Sequence, residues 1–558
     1  MSAPAATIIT AGLRPELFVA PGARHLSRAL LVVILTTVVF AGFGLRAYQL
    51  GAESLGEDEF NKLNTVADYR AHGLTASNGE HPFLMKALQT ASIVVAQRWN
   101  AMPLAARSDR LRLSPEAALR LPSAIFGALT AVLIYLLAAE LFGAEVALIA
   151  AALWAVDPNA VGFNRIAKED TFFLFFFLLA NIFWLRGQRA AEGTAGENPK
   201  PYYWATGAAF GAMLASKYLP HFIVVSVSYN YIFQGLPNRR WRIGRPRYAV
   251  ILTVMGMVFL LCNPTILLPG TWREMMAFAG SQKIGHDSYE FMGMLYRHKF
   301  TDWLNGVPWY FYFVFMGVKL PPLVLAAFVV GLPLLFRRRI GDGRYFLLFW
   351  MFYWAIAFIF PGGKFTRYFT LVLPAVLITA AGAIHWGGQW LGRLTSPLSG
   401  RTGGRVFVRA ALALFIMGVS TLAAVSAAPH YRLYTNLLGG GAARAGDYFP
   451  HDEFYDASLH QVMSEIARRA APGARVASET PSLVAYYARR AGRADLAFAS
   501  LSDRVALDKF VAGDFLIAAR GRRYFSNDAL LAKLRQSVAP DFRVSLGEVP
   551  AVDVYILK

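Results

Sequence analysis

The feature that most constrains this chain is the recurrence of long apolar runs, such as ALLVVILTTVVFAGFGL (29–45) and AVILTVMGMVFLLC (249–262). Uncharged runs of about 18 residues or more can cross a bilayer core, where every backbone polar group must be satisfied within its own helix. On that basis the sequence predicts spans at 29–47, 119–139, 146–163, 171–185, 203–216, 219–234, 248–268, 309–335, 345–361, 368–387 and 409–427. The expected fold class is an α-helical polytopic membrane protein of about eleven spans, with extracytoplasmic juxtamembrane helices and a small C-terminal soluble α/β domain. Of the 558 residues 56% are hydrophobic and 16% charged, which excludes an ordinary soluble enzyme. Cys262 is the single cysteine, so no intrachain disulfide can form, and its apolar setting is that of a small core residue. The first apolar run has no small-residue cleavage site behind it and reads as a retained helix.

A formal net charge of +20 could suggest a nucleic-acid partner, but its distribution gives another reason. Arg14, Arg24 and Arg28 precede the first span, which puts the N-terminus in the cytoplasm. Alternation then brings the basic segments 186–193, 238–247, 337–344 and 393–409 to the same side, as the positive-inside rule requires. No nucleic-acid partner is expected. Residues 82–98 are amphipathic, with Leu84, Leu88, Ala91 and Val95 on one side, and read as a helix lying in the outer interface. That reading leaves Arg98, Arg107, Arg110 and Arg112 outside, one dissenting loop against four. From Pro429 the charge density becomes ordinary, and DFLIAA (514–519) and AVDVYIL (551–557) read as strands. The expected organisation is a cytoplasmic tail (1–28), a transmembrane domain (29–428) and an extracytoplasmic α/β domain (429–558).

This topology gathers most of the unusual polar residues on the outer face. They include the acidic loop GAESLGEDEFNKL (51–63), NGEHPFLMK (78–86), NRIAKED (164–170), Lys217, the loop 269–308 and GGKFTRY (362–368). Charges at membrane depth are costly and tend to be functional. Arg165, Lys168, Lys217, Lys364 and Arg367 suit a phosphate held at the membrane surface, and the carboxylates Asp58, Glu80 and Asp170 lie beside them. Each alone has a simpler explanation as a helix cap, a snorkelling cation or, for Arg165 and Glu169, an i, i+4 pair. Glu53 and Glu57 read as ordinary loop charges.

The segments GEDEF, EHPFLMK, NRIAKEDTFFLFF, GGKFTRYFTLVLPA and PHYRLYTNLLGGGAARA (429–445) resemble, in order and sidedness, the signature segments of GT-C-type membrane glycosyltransferases. Protein O-mannosyltransferases and lipid A aminoarabinose transferases are the similar groups, and the resemblance covers about residues 40–445. It implies a polyprenyl-phosphate-linked sugar as donor, surrounding membrane lipids, and an acceptor that is a protein, lipid A or another glycan. By resemblance Asp58 is the catalytic base with Glu59 as its partner, and Asp170 is the second-loop aspartate. Arg165, Lys217, Lys364 and Arg367 then contact the lipid phosphate, and Glu80 matches an acidic position linked to metal in aminoarabinose transferases. The chain departs from the pattern at Phe83, where a second proline is usual, and in the Lys168–Glu169 pair, which has no assigned role. Glu80, His81, His286, Asp287 and His298 are suitable ligands for a divalent metal ion but lack tight spacing, and loop polar residues or acceptor contacts explain them better. The chemistry expected is direct, inverting displacement. Two rivals stand beside it. A transporter or flippase of lipid-linked sugars predicts inverted repeats and mid-span charges. A non-catalytic scaffold with a partner-binding C-terminal domain needs no carboxylate and cation set.

Overall fold

The computed structural model describes residues 27–191, 198–234, 245–281, 286–337, 340–394 and 402–558. Residues 1–26, with Arg14 and Arg24 of the tail expected in the cytoplasm, and part of each basic loop fall outside the described residues. Among the described residues four helices are long and apolar enough to cross a membrane: α1 (Arg28–Ala47), Pro115–Phe142, Glu169–Ala191 and Val406–Ala427. Shorter apolar helices occupy Ala144–Val156, Arg247–Cys262, Pro322–Leu334 and Gly343–Ile359. The chain is an integral membrane protein.

Local chemistry sets the ends of these helices. Ser114 accepts a hydrogen bond from the Ala117 amide (3.2 Å) and Pro115 occupies the first helical position, which starts Pro115–Phe142. That helix stops at Gly143, whose φ of +91° a side chain would resist. Only 6% of the apolar stretch of α1 is buried in protein, against 72% for Glu169–Ala191. The first therefore turns its surface to lipid, while the second is the central pillar, packed between Pro115–Phe142 and Lys200–Leu214.

Several predicted spans are interrupted, two of them in mid-run where the sequence forces it. Within 146–163 the helix ends at Asp157, whose carboxylate accepts from the Ala160 amide (2.9 Å) and starts a new helix, Pro158–Phe163. Within 309–335, Phe311–Lys319 stops before Leu320 and Pro321, and Pro322–Leu334 begins afresh.

Between α1 and the next long helix lie α2 (Glu57–His72) and α3 (Phe83–Asn100). The amphipathic reading of 82–98 holds, with its polarity reversed. The buried face carries Lys86 and Gln89 with Met85, Ile93 and Ala96, while Val95 is exposed. A helix bounded by lipid buries its polar groups in protein and shows apolar ones outward.

Beyond Ala427 the chain builds a five-stranded mixed sheet from β3 (Arg475–Ala477), β4 (Ala497–Ala499), β5 (Phe515–Ala519), β6 (Phe542–Leu546) and β7 (Val549–Ile556). Its order is β4-β3-β5-β7-β6, parallel from β4 to β5 and antiparallel beyond. A separate antiparallel pair joins β1 (Ser288–Phe291) and β2 (Met294–Arg297). The helices Leu459–Arg469 and Pro481–Arg490 bury Val462, Met463, Ile466, Leu483 and Val484 against the five-stranded sheet. The same apolar cluster takes in Leu55, Val66 and Leu119, so the C-terminal segment is packed onto the acidic loop and α2.

Candidate active site

The acidic stretch GEDEF forms the first turn of α2, where Glu57, Asp58 and Glu59 meet the positive end of the helix dipole. Successive residues on a helix point about 100° apart, so the three carboxylates go to three different places.

Glu59 points inward. Its carboxylate accepts from Arg120 Nε (2.8 Å) and Nη2 (2.6 Å), from the Gly56 amide (2.9 Å) and from the Ala167 amide (2.8 Å). Arg120 spends its other donors on the carbonyls of Leu50 (3.3 Å), Glu53 (2.8 Å) and Ser54 (2.6 Å). The expected role of Glu59 as partner of the base is corrected here: it is a closed structural clamp with no lone pair to spare.

Glu57 turns to the C-terminal segment, 3.0 Å from Arg522 Nη1 and 3.1 Å from His286 Nε2. Glu53 is buried between Arg432 (2.6 Å) and His430 (2.9 Å). Neither is the ordinary loop charge that the sequence suggested. Both fasten the acidic loop to residues far along the chain.

Asp58 alone faces an open network. Its side chain is 39% exposed and pairs with Lys168, and Arg367 Nη2 lies 3.9 Å away. One turn further, Lys62 reaches Glu169 (3.0 Å), which His81 Nδ1 also approaches (3.2 Å). Lys217 donates to Asp170 (2.5 Å) and stands 4.6 Å from the centre of the Tyr368 ring. Loss of water opposes ionisation of Asp58, but Lys168, Lys62 and Arg367 outweigh it and hold its carboxyl well below the usual range. Burial, then Arg367, pushes the Lys168 ammonium down to about 8, against the pull of Asp58. Burial lowers His81 to about 3, so it is neutral at physiological pH.

Arg367 sits at the centre. It is surrounded by Asp452 at 3.7 Å, Asp58 at 3.9 Å and Asp170 at 4.0 Å, and its guanidinium stacks 3.8 Å over the Phe365 ring. It makes no hydrogen bond among the described residues, although it is only 8% exposed. Its planar donors are unused by the protein, and the three carboxylates around it stand too far off to take them.

The other predicted site residues lie elsewhere. Arg165 donates to the carbonyls of Arg46 (2.8 Å), Tyr48 (2.6 Å) and Gln49 (3.0 Å), and so caps the end of α1 instead of reaching Glu169. The Lys364 ammonium donates to Val307 O (2.7 Å) and to Pro361 O, and burial lowers it to about 8. Glu80 accepts from Asn78 (2.6 Å), and burial raises its carboxyl. His298 Nε2 is 2.9 Å from Lys364 O. His286 stacks on Tyr524 with ring centres 4.1 Å apart. Among the described residues no group of three or more His, Cys, Asp or Glu could hold a metal ion.

Several residues of the network were not singled out from sequence. Lys62 follows Asp58 by four positions on α2, a helical spacing that could have found it. Glu169 stood in the unexplained Lys168–Glu169 pair. Asp452, which accepts from Tyr289 OH (2.7 Å) and the Thr366 amide (2.7 Å), lies in YFPHDEFYD (448–456), far from any span end.

Residues 104–267 match the family model described as dolichyl-phosphate-mannose-protein mannosyltransferase. No curated protein matches the chain. Among solved structures, apo ArnT from Cupriavidus metallidurans is 15% identical at a TM-score of 0.50, over 94% of this chain and 97% of that one. The apo oligosaccharyltransferase of Archaeoglobus fulgidus is 12% identical at a TM-score of 0.52, over 88% and 70% of the two chains. AglB of the same organism, in complex with an inhibitory peptide and a dolichol-phosphate, is 11% identical at 0.50, over 88% and 69%. The chain has the fold of GT-C-type membrane glycosyltransferases, and the resemblance carried by its ordered motifs extends to the architecture.

Proposed function

We propose that this protein transfers a sugar from a polyprenyl-phosphate donor to an acceptor hydroxyl or phosphate at the extracytoplasmic face of a prokaryotic cytoplasmic membrane. The observation that carries the reading is Arg367, buried with unused donors and flanked by Asp58, Asp170 and Asp452, with Lys168 and Lys217 paired to the first two. A lipid phosphate would replace distant carboxylates with bidentate hydrogen bonds from Arg367 and draw in Lys168 and Lys217. Eleven spans from a cytoplasmic N-terminus would put this cluster and residues 429–558 outside. The family description and the dolichol-phosphate named with AglB support the donor class.

In the reaction an acceptor oxygen attacks the anomeric carbon as the bond from that carbon to the phosphate oxygen breaks. The proton of the acceptor goes to Asp58, and the electron pair leaves with the phosphate, whose charge the cations hold. One displacement inverts the anomeric centre. When Lys168 and Arg367 engage phosphate they no longer depress Asp58, so its basicity rises as the donor binds. Arg165 and Lys364 are held on backbone carbonyls, so the phosphate-binding set becomes Lys168, Lys217 and Arg367, with Lys62 behind them.

The test offers labelled polyprenyl-phosphate sugars and membrane acceptors to the purified protein in proteoliposomes. Transfer of label with release of polyprenyl phosphate is expected. A protein that binds and turns over none of these donors would contradict the proposal.

A further inference from the structure

Tyr455 lies where the C-terminal segment meets α2. It ends the short helix Pro450–Phe454 in the left-handed conformation (φ 45°, ψ 46°), and Asp456 follows with φ 60°. Side chains other than glycine rarely adopt that region, and two in succession call for a local reason. Asp456 is gripped by Arg522, whose Nε donates at 2.7 Å, and this fixes the turn. The ring of Tyr455 is thereby pressed against the backbone of Gly56, the residue that opens α2. A Cβ on Gly56 would stand 2.3 Å from the ring, so the two positions are matched. On its other side Arg432 lies 5.0 Å from the ring centre.

The residue is 6% exposed, yet its hydroxyl has no hydrogen-bond partner among the described residues. Folded proteins pair nearly all buried hydroxyls, and an exception asks for an explanation. Burial first, then the Asp58 and Glu59 carboxylates, push the phenol well above its usual range, so it keeps its proton and can only be used neutral.

We propose that the Tyr455 hydroxyl donates a hydrogen bond to an oxygen of the bound sugar phosphate, so that the C-terminal segment contributes a donor-binding residue beside Asp58. This rests on the transfer reaction proposed above. Because the hydroxyl bonds nothing in the protein, its removal leaves the fold intact and changes only the ligand.

The experiment compares wild type and Tyr455→Phe, each purified in full length in lipid, for melting temperature, transfer kinetics, and binding of polyprenyl phosphate with and without sugar. We expect unchanged melting and donor kcat/KM lower by about 10- to 100-fold, the range for a lost hydrogen bond to a charged group. Equal weakening for both lipids would assign the bond to a phosphate oxygen, and weakening for the sugar-bearing lipid alone to a sugar oxygen. An active wild type matched by Tyr455→Phe in kinetics and binding overturns the assignment and leaves the reaction standing. A wild type that turns over no donor overturns both.

Discussion

Asp58 and Glu59 are neighbours in sequence with the same charge, and the protein treats them in opposite ways. Glu59 is fully buried and has four donors at 2.6 to 2.9 Å, so its acceptor capacity is filled by the fold. Asp58 is 39% exposed, leans on one ammonium and faces a guanidinium 3.9 Å away. The difference separates architecture from chemistry. A carboxylate satisfied on all sides can only hold the fold, whereas one with open lone pairs can accept a proton. The same contrast divides the cations. Arg165 and Lys364 are taken up by backbone carbonyls, while Arg367 keeps its donors.

The largest effect expected from this contrast is structural. Arg120→Met leaves Glu59 buried without its cation and should cost about 3 to 5 kcal/mol of stability. Thermal melting and the yield of monodisperse protein measure it, and a normal melt would remove the distinction between clamp and site. Next, Lys168→Ala and Lys217→Ala should each raise the donor KM by about 10- to 100-fold, as expected for lost charge-assisted hydrogen bonds, and Lys217→Ala should also lower the melting temperature because it leaves the buried Asp170 without its ammonium. Smaller again is the effect of pH. Lys168 loses its proton as pH rises through about 8, so kcat/KM for the donor should be full below that value and fall above it. Lys168→Arg should move that limb to higher pH. Stability has the opposite sign, rising between about 8 and the usual lysine value, because there the unfolded chain binds the extra proton. The smallest effect belongs to Lys364→Met, whose donor KM should stay within about twofold of wild type because its ammonium serves carbonyls.

Much of this was legible in the chain. Apolar runs gave the membrane class, and the ordered motifs gave the fold type and directed attention to Asp58, Asp170, Lys217 and Arg367, which meet in one network. DFLIAA and AVDVYIL lie on β5 and β7. What escaped depended on contacts distant in sequence. Nothing local to Glu59 announces Arg120, 61 positions away, and nothing near Glu57 announces Arg522, 465 positions away. Asp452 and Tyr455 were hidden for the same reason, in a segment whose composition is unremarkable until it folds back onto α2. The breaks at Asp157 and Pro321 were readable from capping and proline rules, but a search for apolar length passes over them.

The central claim is that Asp58, and not its neighbour, takes the acceptor proton. The most direct test is Asp58→Asn in proteoliposomes supplied with a labelled polyprenyl-phosphate sugar and acceptor, with donor binding and melting followed in the same samples. Transfer should fall by about 100- to 10,000-fold, the range for losing a general base, while the variant still melts like wild type and binds donor. Transfer at the wild-type rate would contradict the account.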